Sequence, residues 1–216
     1  MLRYLWACLV CLFSIHALAA LNFSVQTVDG VQWVKVDGTI DEHEDFYIDS
    51  QHNLNSQLRG QISVNYPTVF EFQSPGGYGN TADNVAELLT RIAHDIEFNG
   101  NEVWSYVATH CESACVPLFV SFRKRAMDST AKIGLHAASV NGVMSEWGTY
   151  LYLFFLESKG VSKDWVQSKN NVFRSTMITY FYASQLVAEN SGIVEAMDSI
   201  LSRNQLIDQI KAKANQ

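Results

Sequence analysis

The hydrophobic pattern of the first hundred residues predicts a strand hairpin, a buried strand and a helix. Alternating polar and apolar residues from Val25 to Val36, centred on Asp29-Gly30, predict a β-hairpin with a tight turn. The apolar run from Val64 to Phe72 predicts a buried strand, and Asn80 or Thr81 is a candidate N-cap for the helix that follows. The apolar residues of that helix recur at helical spacing: Val85, Leu88, Leu89, Ile92 and Ile96.

The next forty residues repeat the alternation of strand and helix. Val103 to Val107 predicts a strand, Thr109 to Glu112 a turn, and Ser113 to Phe122 a helix. Arg123-Lys124-Arg125 is expected to be a solvated turn, and Lys132 to His136 a further strand. This alternation predicts an α/β fold with mainly parallel strands and crossover helices.

The remainder is expected to be mainly helical. Trp147 to Leu156 is an apolar stretch of about ten residues, which is too short to span a bilayer. It is either a helix buried in the core or a helix partly buried between subunits. Its density of aromatic residues favours self-association, because interface cores are enriched in aromatic side chains. Further helices are expected at Ser184 to Glu189 and at Gln205 to Ala212.

The amino terminus has the pattern of an export signal. Arg3 precedes an apolar run from Tyr4 to Phe13, and Ala17-Leu18-Ala19 has the small residues that a signal peptidase requires. We expect residues 1–19 to be a signal peptide and residues 20–216 to be one α/β domain, periplasmic or secreted, with no stable membrane span after cleavage. The alternative is an uncleaved anchor helix.

Composition supports one folded, exported domain. Of the 216 residues, 48% are hydrophobic, enough for one core. Without Arg3 the chain has 14 basic and 22 acidic residues (14 − 22 = −8), which argues against a nucleic-acid partner. Only Cys111 and Cys115 remain after processing, and export allows a disulfide between them, although two buried thiols are the alternative. We expect no metal site and no cofactor, since only His110 and Glu112 lie near the cysteines.

Three segments that follow predicted strands contain candidate chemistry. Ser74-Pro75-Gly76-Gly77 can present backbone N–H groups to a developing oxyanion, although it is also a good turn. Ser113 lies between the cysteines at a helix start, where serine usually serves as a cap. His136 closes the strand that follows. Since ligands gather beyond the carboxyl ends of parallel strands, all three are expected at one edge of the sheet.

The order of these motifs resembles the Clp protease proteolytic subunit family, within the crotonase-like superfamily. Gly-x-Ile is followed by Ser-Pro-Gly-Gly, by Ser-Ala opening a helix, by an arginine and by Ile-Gly-Leu-His, between about Val36 and Ser139. The Cys-x-Ser-Ala-Cys version is more closely similar to exported relatives of that family. The resemblance implies that Ser113 is the nucleophile and His136 the general base. It also implies an oxyanion hole formed by Gly76, Gly77 and the N–H of Ala114.

The resemblance fails at the acid of the triad. The corresponding position falls near Thr179 or Tyr180, neither of which is a carboxylate. The available substitutes are Asp164, Glu189 and Asp198. A serine–histidine dyad or an inactive site are the other possibilities.

The sequence therefore predicts an exported serine hydrolase, a peptidase that acts on a peptide or protein and forms a homo-oligomer. The first alternative is a non-catalytic relative that binds peptides or a partner protein. An acyl-CoA enzyme and a thiol redox protein are further alternatives. Export makes coenzyme A an unsuitable substrate for the former, and the cysteine spacing differs from Cys-x-x-Cys in the latter.

Overall fold

A computed structural model describes residues 21–41 and 54–214, with the side chains of 54–57 and 214 excluded. The expected signal peptide lies outside these residues, so its cleavage stays a prediction. The strands are β1 (Asn22–Val28), β2 (Val31–Asp37), β3 (Thr68–Ser74), β4 (Val103–Glu112), β5 (Arg125–Met127), β6 (Lys132–Leu135), β7 (Ser139–Val140), β8 (Val143–Met144) and β9 (Thr179–Tyr182). The helices are α1 (Leu54–Gln61), α2 (Gly79–Phe98), α3 (Cys115–Val120), α4 (Glu146–Ser158), α5 (Lys163–Ser168), α6 (Ala183–Ala188) and α7 (Arg203–Ala214).

The main sheet is mostly parallel. Its order is β1-β2-β3-β4-β6-β9, and β5 pairs with β4 beside this path. The pairs β2–β3, β3–β4, β4–β5 and β4–β6 are parallel, whereas β1 and β9 are antiparallel strands at the two edges. The connection between β3 and β4 contains α2, and the connection between β4 and β6 contains α3. The predicted α/β fold is confirmed.

The central strands are buried on both faces, which explains why they are continuous apolar runs. Val34 and Phe70 belong to the large core cluster that also contains the apolar residues of α2 and α3. Trp33, Val69 and Tyr106 point to the opposite face. There they form a second cluster with three residues of α7: Leu206, Ile207 and Ile210.

The predicted hairpin is confirmed. Strands β1 and β2 pair antiparallel from Asn22↔Asp37 to Val28↔Val31. The turn residues Asp29 and Gly30 have φ values of 51° and 79°, the left-handed conformation that a two-residue hairpin turn requires.

The expected turn at Thr109 to Glu112 is wrong, because β4 continues through it. Cys111 pairs with Ser74 of β3 on one side and with Ile133 of β6 on the other. Strand pairing on both sides therefore overrides the polar character of the segment. The following helix begins at Cys115 rather than at Ser113.

The start of α2 also differs from the sequence expectation. The helix begins at Gly79 with Tyr78 as its N-cap residue and without a side-chain capping hydrogen bond, so neither Asn80 nor Thr81 is the cap. The helix ends at Phe98: Asn99 is the C-cap, and Gly100 follows with a φ of 83°.

Arg125 is buried, which corrects the expectation of a solvated turn. Its Nη1 donates to the carbonyl oxygens of Val120 at 3.1 Å and Lys159 at 3.0 Å. Its Nη2 lies 3.4 Å from Oε1 of Glu195. Burial lowers the pKa of the Arg125 guanidinium, and the Glu195 carboxylate opposes this effect. The side chain thus joins the end of α3 to the end of α4.

The last third of the chain contains strands that the sequence did not predict. The hairpin β7–β8 follows His136, and β9 completes one edge of the main sheet. Helix α4 covers the predicted apolar stretch, but it is not a buried helix: Trp147 is 68% exposed and Phe154 is 64% exposed. Among residues 21–41 and 54–214, no helix combines the length and apolarity needed to cross a bilayer.

Replacing Arg125 with Met is expected to lower the free energy of unfolding by about 3 kcal/mol, because the carbonyl oxygens of Val120 and Lys159 lose their donor and the first of them is buried. Urea denaturation measures this value. The matched control is Arg123→Met, since Arg123 is exposed, and its expected change is within about 0.5 kcal/mol. Equal effects of the two replacements would contradict the structural role of Arg125.

Candidate active site

The three segments expected to contain the site follow neighbouring parallel strands. Gly76 follows β3, Ser113 follows β4, and His136 follows β6. Because β3, β4 and β6 are adjacent and parallel, their carboxyl ends meet at one edge of the sheet. The topology therefore places all three segments together.

The backbone at Ser113 is left-handed, with a φ of 53°. Its N–H donates to the carbonyl oxygen of Gly134 at 2.8 Å, and its carbonyl oxygen accepts from the N–H of Val116 at 3.0 Å. The first bond ties the end of β4 to β6, and the second begins the turn into α3. The Ser113 side chain consequently lies at the junction of β4 and α3 rather than in the core.

Gly76 lies against this turn. A Cβ atom at Gly76 would lie 2.7 Å from Cβ of Ser113 and 3.0 Å from the backbone nitrogen of Ala114, so only glycine fits. Its own N–H donates to Oγ of Ser74 at 3.0 Å. The absence of a side chain at Gly76 therefore lets its backbone lie against Ser113 and Ala114, while its N–H is used in the hydrogen bond to Ser74.

Gly77 is held against the chain on its other side. A Cβ atom at Gly77 would lie 2.1 Å from the carbonyl oxygen of Ile40. The φ of Gly77 is 148°. The N–H of Ile40 donates to the carbonyl oxygen of Gly76, and the N–H of Tyr78 donates to that of Ile40. Within the described residues, the N–H groups of Gly77 and Ala114 have no acceptor, which leaves both able to bind an anionic oxygen.

Both ring nitrogens of His136 are engaged. Nε2 lies 2.7 Å from Oγ of Ser113, and Nδ1 lies 2.6 Å from the carbonyl oxygen of Ala137. A carbonyl oxygen can only accept, so Nδ1 carries the proton of the neutral ring. Nε2 is then unprotonated and accepts the hydroxyl hydrogen of Ser113, which is the arrangement that a general base requires.

None of the three substitute carboxylates stands behind the imidazole. Glu189 is engaged elsewhere: hydrogen bonds from Trp165, Lys169 and Gln185 lower its pKa to about 2. Asp164 and Asp198 are exposed residues on α5 and on the short 3₁₀ helix Met197–Ser199. The contact behind the ring is a backbone carbonyl instead.

The positions matched to the missing acid lie on β9, which pairs with β6 just before His136. Thr179 pairs with Leu135, and Tyr180 pairs with Gly134. Neither residue has a carboxylate. Sequence reasoning missed the carbonyl of Ala137, because a backbone atom has no signature in residue types. It also missed the role of Gly134. A glycine inside a strand is a recognisable sign that other groups approach the backbone closely, and here the side chains of Glu112 and Ile178 do so.

Cys111 and Cys115 are joined by a disulfide, with 5.3 Å between their Cα atoms. Both residues are fully buried, one in β4 and the other at the start of α3. The bridge spans the turn at Ser113 and Ala114, so it fixes the two ends of the segment that presents the hydroxyl and the free N–H. In the described parts of the chain, no group of three or more His, Cys, Asp or Glu residues is placed to hold a metal ion.

Comparison with known proteins identifies the fold. No protein-family model matches the chain, and no curated protein matches its sequence. Among solved structures, an enoyl-CoA hydratase from Bacillus halodurans has a TM-score of 0.53 at 9% identity, over 90% of this chain and 80% of its own. An enoyl-CoA hydratase from Thermoplasma volcanium GSS1 has a TM-score of 0.54 at 15% identity, over 90% of this chain and 77% of its own.

A third similar structure is a mutant of a membrane-bound stomatin-specific protease. Its TM-score is 0.51 at 15% identity, over 83% of this chain and 82% of its own. At these identities the likeness concerns the fold alone. The chain therefore shares a mixed α/β fold with these structures.

Replacing both Cys111 and Cys115 with Ala is expected to slow the reaction of Ser113 with a fluorophosphonate while lowering the free energy of unfolding by only about 2 kcal/mol, because the closed loop is short. Labelling kinetics and urea denaturation measure the two effects. Reduction of the wild-type protein provides a second arm and should slow labelling in the same way. Unchanged labelling in both arms would show that the bridge does not hold the turn.

Proposed function

We propose that the chain is an exported serine hydrolase, a peptidase related to the Clp protease proteolytic subunit family, with Ser113 as nucleophile and His136 as general base. The observation that carries this proposal is the 2.7 Å contact between Ser113 Oγ and His136 Nε2, with the ring proton held on Nδ1. A serine hydroxyl is a poor nucleophile until a base accepts its proton, and this geometry supplies that base.

The remaining groups suit acyl transfer. As Ser113 Oγ attacks a carbonyl carbon, His136 takes the hydroxyl proton and the carbonyl oxygen becomes an oxyanion. The N–H groups of Gly77 and Ala114 are its proposed donors, and the bare Cα of Gly76 leaves room beside them. His136 then gives its proton to the leaving amine, and water releases the acyl group by the reverse sequence.

The carbonyl of Ala137 takes over part of the role of a triad acid. It holds the imidazole in the tautomer that leaves Nε2 free, which is one of the two tasks of the acid. Being neutral, it stabilises the imidazolium less than a carboxylate does. We therefore propose a serine–histidine dyad with a backbone acceptor, and we expect slow turnover.

The proposed export and extracytoplasmic location rest on the amino-terminal pattern and are consistent with the disulfide. The proposed substrate is a peptide or a protein. The mechanism needs no metal or cofactor, and the acidic charge makes a nucleic-acid partner unfavourable. A non-catalytic, peptide-binding relative is the second candidate, because the carboxylate of the triad is absent.

A fluorophosphonate probe tests the proposal, because only an activated serine reacts readily. We expect the wild-type protein to label at one site, and Ser113→Ala and His136→Ala to reduce labelling by about a thousandfold or more. Peptide mapping of the labelled protein should place the adduct on Ser113. The matched control is Ser139→Ala, an exposed serine three residues after His136, which should label like the wild type.

Two outcomes would count against this proposal. A folded wild-type protein that does not label would favour the non-catalytic candidate. An adduct on a serine other than Ser113 would remove the proposed nucleophile.

We also propose that copies of the chain associate through α4. Trp147, Tyr150, Leu151 and Phe154 are spaced to lie on one helix face, and each is at least 46% exposed. The Trp147 and Tyr150 rings stack on one another with their centroids 5.5 Å apart. An exposed apolar stripe of this kind is characteristic of a protein interface.

Replacing Trp147 and Phe154 with Glu is expected to convert the assembled protein to monomers, because charged residues are depleted from interface cores. Light scattering at tens of micromolar measures the change. Phe98→Glu is the matched control, since Phe98 is an 85% exposed aromatic residue at the end of α2, and it should leave the assembly intact. A wild-type protein that is monomeric would contradict the proposal directly.

A further inference from the structure

Gly134 lies within β6, the strand that ends just before His136, and it is bonded to the segment that holds the candidate nucleophile. It pairs in register with Glu112 of β4 on one side and with Tyr180 of β9 on the other. Its carbonyl oxygen accepts the N–H of Ser113 at 2.8 Å. The residue that anchors the backbone of the nucleophile is therefore two positions before the base.

The backbone conformation of Gly134 does not require glycine. Gly134 is a buried strand residue, and its φ lies outside the left-handed region that Gly76 and Gly100 occupy. Glycine inside a strand weakens it, because glycine loses more backbone entropy on folding and contributes no side chain to packing. The reason for glycine at this position therefore lies in the space around it.

Two side chains fill the space above Gly134. A Cβ atom there would lie 2.8 Å from Cγ2 of Ile178 and 2.9 Å from Cγ of Glu112, with Cβ of Glu112 at 3.1 Å. Carbon atoms in favourable contact are about 3.5–4.0 Å apart, so one added methyl group would push both neighbours away. Even the side chain of alanine would thus force a movement.

The two neighbours differ in how they can yield. Ile178 directly precedes β9 and is 37% exposed, so its side chain can turn towards solvent. Glu112 is the last residue of β4, and its Cβ is attached to the backbone next to Ser113. Pressure on Glu112 would therefore move the end of β4 away from β6 and lengthen the bond from the Ser113 N–H to the Gly134 carbonyl.

The same movement would open the contact between the nucleophile and the base. Ser113 Oγ lies 2.7 Å from Nε2 of His136, and the two residues directly follow β4 and β6. A misplacement of about 1 Å in an active site can cost about a hundredfold in rate. The close approach of β4 to β6 at Gly134 is therefore a condition for proton transfer.

We infer that Gly134 is a positioning residue of the proposed hydrolase. Its carbonyl holds the left-handed Ser113, and its missing side chain lets β4 and β6 approach closely enough for Ser113 Oγ to reach His136 Nε2. The inference rests on the proposed function. Gly134 acts through the spacing of the two strands and not on the reacting atoms.

The test separates the rate of bond formation from folding. Labelling by a fluorophosphonate is measured over a range of probe concentrations, which resolves probe occupancy from the rate of the bond-forming step. Gly134→Ala is expected to lower that rate about tenfold or more per folded molecule, with little change in occupancy. Amide hydrogen exchange at Ser113, followed by NMR, should become faster, because its hydrogen bond to Gly134 is weakened.

Removal of the two obstructing groups should reverse the loss. Glu112→Ala removes Cγ and Ile178→Ala removes Cγ2, so both changes together make room for the methyl group of Gly134→Ala. We expect the triple variant to label within about threefold of Glu112→Ala/Ile178→Ala, the matched pair that retains Gly134. The glycine control is Gly60→Ala in α1, where nothing lies within 4 Å of an added Cβ, and it should label like the wild type.

Each outcome has a defined meaning. If the wild type labels and Gly134→Ala labels as fast as Gly60→Ala, the inference is overturned while the proposed function stands. A loss that the triple variant does not recover arises from something other than the filled space, and it also overturns the inference. A folded wild type that does not label overturns the proposed function and the inference with it.

A second variant applies if Gly134→Ala does not fold. Gly134→Ala/Ile178→Ala removes the shortest contact and retains the contact with Glu112, through which the strand spacing is set. Slow labelling by this folded double variant supports the inference, and labelling at the rate of Ile178→Ala overturns it.

Discussion

A serine held at a φ of 53° costs free energy of order 1 kcal/mol or more, and the residues around Ser113 are arranged so that the chain keeps this conformation. The N–H of Ser113 donates a hydrogen bond to the carbonyl oxygen of Gly134, and the disulfide between Cys111 and Cys115 links the residues on either side of the turn. Gly76 leaves the volume that the turn needs. Because the left-handed residue ends β4 and directs the chain into α3, the hydroxyl reaches the sheet edge, while Cys111 two positions earlier is fully buried.

In a serine triad, a buried acid both orients the imidazole and supplies negative charge beside it. Around Ser113 and His136, only the first of these two tasks is carried out. The carbonyl of Ala137 orients the imidazole and fixes its tautomer, but it brings no negative charge. Glu112, the carboxylate next to Ser113 in the sequence, extends over Gly134 of β6 instead of standing behind the imidazole. The geometry for proton transfer is therefore present without the electrostatic support that accelerates it.

The sequence predicted what depends on local pattern and missed what depends on strand pairing. The Asp29-Gly30 turn and the placement of Gly76 and His136 after parallel strands follow from residue type and periodicity. The continuation of β4 to Glu112 does not, because pairing with two neighbouring strands decides it. A run of three cations predicts solvent exposure, yet Arg125 is buried because the carbonyl oxygens of Val120 and Lys159 accept hydrogen bonds from its guanidinium. Such acceptors are backbone atoms and have no signature in the sequence.

The second cluster joins the two ends of the domain. Trp33 of β2 packs near the amino-terminal edge of the sheet, and Leu206 and Ile210 of α7 complete the same cluster. The sheet cannot shield its aromatic face until α7 has been synthesised. Contacts of such long sequence separation form late and slowly in folding. This face of the sheet therefore depends for its folding on α7, which follows β2 by more than 160 residues in the sequence.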